Sequence, residues 1–334
     1  MNNQITEELY LSEQFATREQ LEAEVEFWDA STSGCIARCP RYGEHKIRED
    51  LTSKEEGVQM TAGNALHGAL ASYYVFGERD LAHHELERTW GHPLDFRLPP
   101  GHRYKHLHLG HLQVILNNYF DYASRRDTFK PILVSLDDLN LTNVVAAVWR
   151  LAPDGRVILG ESKVAIRYVI DGKEFVYSGK PDLPVRSGGK VYVMDHKSTN
   201  AYLSDWYFEQ HRFSNQLRGY CSMINELMDV DATGAIINGL YVGERAVMKE
   251  FKGSKFTRFG PLLFRKAHLE EAIRNQYAWR QALDYYEECG YYPQNAGTMC
   301  RSCDYSSICA ASPAMRETVK KSEFVLANRV FLDL

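Results

Sequence analysis

The stretch GKPDLPVRSGGKVYVMDHKS, residues 179–198, consists of two short extended runs joined by a Gly-Gly turn. Glycine tolerates the positive φ angles of tight turns, so this stretch predicts a β-hairpin. Because side chains alternate along a strand, Asp195 and Lys197 share one face with Val191 and Val193. The turn can also bring Asp182 back beside Asp195. The sequence therefore predicts two carboxylates and an ammonium group where a buried strand face ends.

Two interpretations of this charged cluster are open. In the first, the carboxylates bind Mg²⁺ or Mn²⁺, which prefer oxygen ligands. Such an ion polarises a phosphoryl oxygen and lowers the pKa of a bound water, while Lys197 orients that water or neutralises charge developing on phosphorus. In the second, the cluster is a surface ion pair at the end of a hairpin, which is a common feature. The motif alone does not decide between them.

The composition is that of a globular protein with a large core. The chain has 334 residues, of which 44% are hydrophobic and 25% charged, and a net charge of −5. This charge argues against nonspecific coating of polyanions, so any nucleic-acid contact must come from a local basic patch. The chain has no run of 18 apolar residues, and its polar, acidic start is unlike a signal peptide. We predict a cytoplasmic protein with no membrane contact and reduced cysteines.

The patterns along the chain predict a mixed α/β (α+β) layer. A helix is expected over 52–78, with Ser53 and Glu56 forming a capping box and Gly77 ending it. Three strands from 156 onward, a helix over 204–228 and a further strand follow, with antiparallel neighbours rather than a doubly wound sheet. We predict four units. They are an N-terminal helical region (1–76), a helical insertion or cap (77–155), a core sheet and helix (156–266), and a C-terminal helix with the cysteines (267–334).

The spacing of PD, a strand-turn-strand gap and DHK resembles the PD-(D/E)XK nuclease superfamily. Two further motifs resemble its RecB-like branch. One is His67 on an early helix, in GNALHGAL; the other is Gln216 and Tyr220, in NQLRGY, on the helix after the lysine strand. The resemblance implies a restriction-endonuclease-like core, in which a central mixed β-sheet is flanked by helices.

The same resemblance implies roles for individual residues. The implied ligands of Mg²⁺ or Mn²⁺ are His67, Asp182, Asp195 and the backbone carbonyl of His196. Lys197 is the implied catalytic lysine, and Gln216 and Tyr220 would support the site or touch the nucleic-acid backbone. Glu161, on the first strand, is a further candidate site residue. A core-edge histidine and an ordinary helix face remain the alternatives for His67 and for the Gln216–Tyr220 pair.

Three of the seven cysteines lie in CRSCDYSSIC, as Cys300, Cys303 and Cys309. Closely spaced thiolates in a reducing compartment indicate a metal, and spacing alone favours zinc. The fourth ligand is either Cys39, in CPRY, or Cys35 one helical turn earlier. The arrangement resembles the iron–sulfur staple of some RecB-like nucleases. It implies a [4Fe–4S] cluster on Cys39, Cys300, Cys303 and Cys309 that joins the N- and C-terminal segments. Cys221 and Cys289 are expected to be buried or idle.

Two other groups of residues are candidate binding sites. A second metal is one possibility for the histidines of residues 102–111, and a solvated helix entry is the alternative; they are His102, His106, His108 and His111. A basic stretch with interleaved phenylalanines, residues 245–266, is a candidate DNA track, unless its phenylalanines face the core. The candidate DNA-binding residues are Arg41, Lys249, Lys252, Lys255 and Arg258. Arg41, Lys46 and Arg48 form a possible second basic patch.

We therefore predict a metal-dependent deoxyribonuclease, specifically an exonuclease acting in recombination, end processing or phage DNA metabolism. A CRISPR spacer-acquisition-type nuclease and a non-catalytic iron–sulfur or zinc DNA-binding subunit are the alternatives. The expected partner is DNA, either single-stranded or at duplex ends. A second copy of the chain or a recombination protein is a possible further partner.

Overall fold

The computed structural model describes residues 5–15, 17–54 and 57–327. Its α-helices are α1 Arg18–Glu24, α2 Ala30–Arg38, α3 Pro40–Gly43, α4 Val58–Phe76, α5 Arg79–Thr89, α6 Leu109–Arg126, α7 Asp205–Glu209, α8 Asn215–Met228, α9 Lys266–Glu288, α10 Ser306–Ala310 and α11 Arg316–Glu323. Its strands are β1 Thr6–Leu11, β2 Leu51–Ser53, β3 Lys130–Pro131, β4 Leu133–Val134, β5 Val144–Leu151, β6 Val157–Ile170, β7 Lys173–Gly179, β8 Leu183–Ser187, β9 Lys190–Thr199, β10 Ala232–Tyr241, β11 Phe256–Leu263 and β12 Phe324–Leu326. A π-helical turn, Glu44–Arg48, follows α3. None of the described helices is long and apolar enough to cross a membrane.

The strands form two larger sheets and one small one. The first has the order β1-β5-β6-β4, with β7 also paired to β6, and the second has the order β11-β10-β9-β8-β3. In the second sheet β9 and β10 are parallel and the other pairs are antiparallel. The small sheet pairs β2 with β12. The predicted mixed α/β class is confirmed, and the order helix, strands, helix, strand appears as α4, β6 to β9, α8 and β10.

The second of the three strands predicted from residue 156 onward, KEFVYSGKPDLPV at 173–185, is interrupted. Instead of one extended run, β7 belongs to the first sheet and β8 to the second, with the break at residues 180–182. At this break the Glu161 N–H, on β6, donates a hydrogen bond to the Pro181 carbonyl at 2.8 Å. Asp182 therefore precedes a new strand rather than ending one. The break places it where the two sheets meet.

The long first helix begins later than predicted. It starts at Val58 with Gly57 as its N-cap and no side-chain cap, while Ser53 lies on β2 and pairs with β12. The predicted capping box is wrong at Ser53, because the C-terminal strand recruits that residue into a sheet; Glu56 lies outside the described residues. Gly77 ends the helix as predicted, with φ 72° and its N–H bonded to the Tyr73 carbonyl.

The region 77–155 is only partly a helical insertion. Helices α5 and α6, joined by a non-helical stretch, lie in it as far as Arg126, but β3, β4 and β5 follow. Strand β5 lies between β1 and β6, and its residues 144–150 are all buried. The continuous apolar run VVAAVW is typical of a strand buried on both faces. The last part of the predicted cap thus belongs to the sheet.

Both faces of β9 are buried, which positions the charged residues at its end. Val191 and Val193 pack into the main core with α8, and Tyr192 and Met194 pack into a second cluster with β8. The alternation predicted for this strand is present. The Asp195 side chain, on the face shared with the valines, is fully buried.

Candidate active site

Asp182 and Asp195 are brought together by the β8–β9 hairpin. The backbone N–H of His196 donates a hydrogen bond to Asp182 Oδ2 at 2.7 Å. Asp182 is 7% exposed and Asp195 is 0% exposed. The two carboxylates are therefore buried, and the cluster is not a surface ion pair.

His67, Glu161 and Asp182 form a compact group of potential metal ligands. One ligand atom of each residue lies within 4.8 Å of those of the other two. The Nδ1 atom of His67 is 3.5 Å from Asp182 Oδ2. Three separate elements converge here, namely α4, β6 and the segment before β8. Glu161, a secondary candidate in the sequence, thus lies in the centre of the site.

Lys197 is held by a chain of contacts that ends on α8. Its Nζ atom is 2.7 Å from Asp195 Oδ2 and donates to Gln216 Oε1 at 3.1 Å. Gln216 Nε2 in turn donates to the Tyr220 hydroxyl at 3.2 Å. The Gln216–Tyr220 spacing of four residues puts both on one helix face, as the sequence predicts. We refer to His67, Glu161, Asp182, Asp195 and Lys197 as the carboxylate site.

The electrostatics of the carboxylate site favour cation binding. Burial, with the charges of Asp195 and Glu161, raises the pKa of Asp182 well above its usual range. Burial also raises the pKa of Glu161, but the cationic surroundings, above all the Lys180 ammonium paired with it, outweigh burial and bring that pKa below its usual value. Burial lowers the pKa of His67, so its imidazole is neutral and can act as a ligand. A divalent ion would relieve the crowding of negative charge.

Several polar atoms of the carboxylate site are buried without a hydrogen-bond partner among the described residues. They are Asp195 Oδ1, Glu161 Oε1 and His67 Nε2. Leaving such atoms buried and unpaired costs free energy, roughly 1–3 kcal/mol each. Carboxylate oxygens and an imidazole are ligands suited to Mn²⁺, and the oxygens suit Mg²⁺. The residues present therefore fit the implied metal.

The backbone at Glu161 is unusual and explains how its carboxylate enters the site. Glu161 has φ 61°, a left-handed conformation that non-glycine residues rarely adopt. Strained residues of this kind cluster at functional sites. At Gly160 an added Cβ atom would lie 2.8 Å from the Asp182 carbonyl oxygen, so only glycine permits this approach. No feature of the sequence alone predicts this left-handed conformation at Glu161.

A buried polar network behind His196 was missed at the sequence level. Asn238 Nδ2 donates to the Tyr119 hydroxyl at 2.9 Å and lies 2.7 Å from His196 Nδ1. Asn238 Oδ1 accepts from Arg258, which also donates to Tyr119 at 2.6 Å and pairs with Asp127 at 2.7 Å. Because an arginine can only donate, Asn238 presents its NH₂ group to His196, whose Nδ1 must accept. His196 is therefore neutral, with its proton on Nε2.

This network corrects the prediction for Arg258 as a DNA-binding residue. Its guanidinium is inside the protein, where Asp127 balances the charge and Tyr119 supplies a ring face 5.3 Å from the guanidinium carbon. Phe256 packs edge-on against the Tyr119 ring at 5.3 Å. The alternative, in which aromatic residues of 245–266 face the core, holds for Phe256.

The other predicted DNA-binding residues differ in whether their cationic groups are free to contact DNA or are already bonded within the protein. Arg41 donates two hydrogen bonds to the Tyr292 carbonyl, at 2.9 and 3.0 Å, instead of projecting toward a ligand. Arg48 pairs with Glu26 and Glu287, so the expected second basic patch is largely neutralised. Lys255 donates to the Met248 carbonyl. Lys249 and Lys252 are exposed.

The histidines of residues 102–111 have structural roles. His108 caps α6 by accepting the His111 N–H, and His111 Nε2 lies 3.0 Å from the Val242 carbonyl. His106 Nε2 lies 3.0 Å from Asn200 Oδ1. The only group of three potential metal ligands in the described parts of the chain is the one at His67, so a second metal among these histidines gains no support.

Four cysteines line one cavity of about 310 Å³ between the N- and C-terminal segments, which we call the cysteine cavity. They are Cys39, Cys300, Cys303 and Cys309. Cys35 does not line it: that residue is buried and its thiol donates to the Ser31 carbonyl at 3.1 Å. The Tyr42 hydroxyl donates to Asp304 and the Tyr305 hydroxyl donates to the Leu51 carbonyl, so two hydrogen bonds join the two segments beside the cavity. Cys221 is buried and Cys289 is exposed.

A histidine, carboxylates and a lysine gathered where two sheets meet are the parts of a metal-dependent phosphodiester hydrolase. The sequence model of one protein family, the PD-(D/E)XK nuclease superfamily, matches residues 30–310 of the chain. The chain therefore belongs to that superfamily. None of the curated proteins matches this sequence. Among solved structures, "Crystal structure of SSO0001" aligns with 89% of this chain and 91% of that chain, at 11% identity and a TM-score of 0.35. So distant a similarity says nothing about substrate or activity.

Proposed function

We propose that the protein is a metal-dependent deoxyribonuclease of the RecB-like branch that degrades DNA from an end. We infer that it serves recombination, end processing or phage DNA metabolism. The observation that supports the activity is the convergence of His67, Glu161 and Asp182 beside the buried Asp195–Lys197 pair. A purely structural role would favour apolar residues here, because burying charges is costly.

In this proposal His67, Glu161, Asp182 and Asp195 hold Mg²⁺ or Mn²⁺, with the His196 carbonyl as a further ligand. When bound, the ion polarises the scissile phosphate and lowers the pKa of a water molecule. Lys197 neutralises charge that develops on the phosphate or orients the water. Gln216 fixes the direction of the Lys197 ammonium, and Tyr220 fixes the Gln216 amide.

We also propose that the cysteine cavity holds a [4Fe–4S] cluster on Cys39, Cys300, Cys303 and Cys309. Thiolates suit both iron–sulfur clusters and zinc. In a tetrahedral zinc site with Zn–S distances of about 2.3 Å, the sulfurs would lie within about 4 Å of one another. No three cysteine sulfurs of the described residues lie within 4.8 Å of one another, which favours the larger group. Asn295 donates its N–H to Cys39 Sγ at 3.4 Å, a contact that suits a thiolate.

The activity can be tested with DNA labelled at either end. Lys197→Ala and Asp195→Asn should each lower the Mn²⁺-dependent rate of degradation by at least about 10²-fold, because the first removes the cation at the reacting phosphate and the second weakens a ligand of the metal. Lys190→Ala is the matched control, since Lys190 is an exposed lysine on the same strand. Release of label from one end first, and resistance of circular DNA, would support an exonuclease. Wild-type rates in both site variants would refute the assignment.

A further inference from the structure

The segment 200–214 joins β9, which carries Lys197, to α8, which carries Gln216. Three large aromatic side chains of this segment are exposed, namely Tyr202 (59%), Trp206 (81%) and Phe213 (74%). In the rest of the described chain only two aromatic side chains are comparably exposed, Tyr285 and Tyr291, at 62% each. Exposed apolar groups concentrated at one place indicate a binding surface. Here that surface borders the carboxylate site.

The segment is firmly attached, so its outward side chains are held in place. Phe208 is 1% exposed and its ring stacks on Phe259, with centroids 5.1 Å apart. Gly239 makes room for it, because a Cβ atom there would lie 2.8 Å from the Phe208 ring. The rings of Tyr207 and His211 meet edge-on at 5.5 Å on the side toward Lys197, whose charge acts on both. The segment therefore forms a wall of the carboxylate site.

The chemistry of the outer side fits a nucleic-acid strand. The Tyr202 ring is within 9° of parallel to the rings of Tyr241 and Phe251, at centroid distances of 5.9 and 6.0 Å. Lys249 and Lys252, on either side of Phe251, are exposed and cationic. Tyr202 follows Lys197 by five residues, so it lies within about 17 Å of the lysine along the chain. The exposed Tyr202 ring and the two cations that flank Phe251 complement bases and phosphates.

We propose that segment 200–214 stacks unpaired bases on Tyr202 and Trp206, so that the carboxylate site receives single-stranded DNA. The inference rests on the proposed nuclease function and names its substrate class. Every base of a single strand has a free ring face, whereas bases within a duplex already stack on one another. A duplex would touch this surface only through its backbone, and the exposed rings would gain little.

Binding measurements in the Asp195→Asn background test this inference, because we expect that variant to cut DNA at least about 10²-fold more slowly. Added Tyr202→Ala or Trp206→Ala should each weaken binding of a labelled oligo-dT by about 5- to 150-fold, the equivalent of one lost stack. The Kd for a blunt hairpin duplex should stay within about 2-fold. Tyr285→Ala is the matched control, with 62% exposure on α9, and Trp206→Phe should restore most of the affinity. Oligo-dT should also quench tryptophan fluorescence, and Trp206→Phe should remove most of that quenching, because, of the other four tryptophans, Trp28, Trp90 and Trp149 are buried and Trp279 is partly buried.

Three results would overturn the inference. The first is an unchanged Kd for oligo-dT in both alanine variants, and the second is an equal loss for the duplex. The third is a smaller particle for Trp206→Ala than for the wild type in gel filtration, which would make the surface a contact between copies of the chain. If the Asp195→Asn protein binds duplex normally in these cases, the nuclease function stands and only the substrate class fails. If it binds neither DNA, the proposed function itself is wrong.

Discussion

The carboxylate site and the cysteine cavity are both candidate places for metal, but their surroundings differ. In the carboxylate site most charges already have protein partners, since Asp182 accepts the His196 N–H, Glu161 pairs with Lys180, and Asp195 pairs with Lys197. In the cysteine cavity the sulfurs surround about 310 Å³ of space. The first arrangement is set by the protein alone, whereas the second leaves room for a group that would tie its walls together.

This difference separates catalysis from stability. Removing the divalent ion from the carboxylate site should cost activity while the fold persists, because hydrogen bonds and ion pairs keep the side chains in place. Removing the proposed cluster from the cysteine cavity should lower the stability of the fold. Its proposed ligands Cys39 and Cys300 are far apart in sequence, so the cluster would close a loop that contains most of the chain. Closing a long loop and binding metal are both coupled to folding.

The largest expected effect is therefore that of Cys39→Ala. Anaerobically purified wild-type protein should be brown, and the variant should lose most of its visible absorption. Its free energy of unfolding, measured with urea, should fall by more than about 4 kcal/mol, as is typical when a structural metal is lost. Cys35→Ala is the matched control, because its thiol bonds the Ser31 carbonyl outside the cavity. A colourless, zinc-containing wild-type protein, or equal losses in both variants, would contradict the cluster.

Residues whose roles follow from local spacing could be predicted from the sequence. Strand alternation places Asp195 and Lys197 on one face, and a four-residue spacing on a helix places Gln216 beside Tyr220. Both relations are present in the structure. The close spacing of the three C-terminal cysteines likewise indicates a shared site, and all three line the cysteine cavity.

Residues whose roles depend on distant parts of the chain could not be predicted. Arg258 lies in a basic run, yet its side chain is only 14% exposed and pairs with Asp127, which lies on a different element. Glu161 enters the site through a left-handed backbone conformation, which propensities do not reveal. The sequence around Asp182 predicts one continuous strand, whereas the structure has two, β7 and β8. The break between them depends on where the two sheets meet, which local sequence does not indicate. Local patterns fix faces and spacings, but partners far away in sequence decide burial.

The network behind His196 connects α6 to the strand that carries Asp195 and Lys197. Tyr119→Phe removes the hydroxyl that accepts from Asn238 and Arg258. Arg258 keeps its bonds to Tyr74 and Asp127, but one N–H of the buried Asn238 amide loses its acceptor, which should cost about 1–3 kcal/mol of stability. Because Asn238 also contacts His196, the kcat of DNA degradation should fall by about 10-fold, corresponding to 1.4 kcal/mol at the site.

The matched control for this change is Tyr122→Phe, on the same helix, whose ring lies 5.4 Å from the Arg258 guanidinium carbon. Urea unfolding and the rate at saturating DNA and Mn²⁺ are the two measurements. A loss of stability with an unchanged kcat would show that the network only supports the fold. An unchanged stability would contradict the hydrogen bonds themselves.

The smallest expected effect concerns a pH-dependent contact near the cysteine cavity. Glu49 accepts from Lys320 at 2.6 Å and lies 2.7 Å from His45 Nδ1, which ties α11 to the N-terminal segment. Burial raises the pKa of Glu49, but these two partners outweigh it and lower the pKa from 4.5 to about 2. A carboxyl whose folded-state pKa is depressed stabilises the protein above its unfolded pKa. That stabilisation is lost as the pH falls from about 4.5 toward 2.

Glu49→Gln should consequently lower the free energy of unfolding by about 1 kcal/mol at pH 7, since partial exposure screens the pair. The gap between the variant and the wild type should narrow steadily below pH 4.5, the pKa of the free carboxyl. Glu317→Gln is the control, because Glu317 also contacts Lys320 but is 71% exposed. Its effect should stay below about 0.5 kcal/mol. If the difference in the free energy of unfolding between Glu49→Gln and the wild type stayed constant down to about pH 3, this prediction would be wrong. The ionised Glu49 carboxylate would then not stabilise the contact, and packing of α11 alone would hold the two segments together.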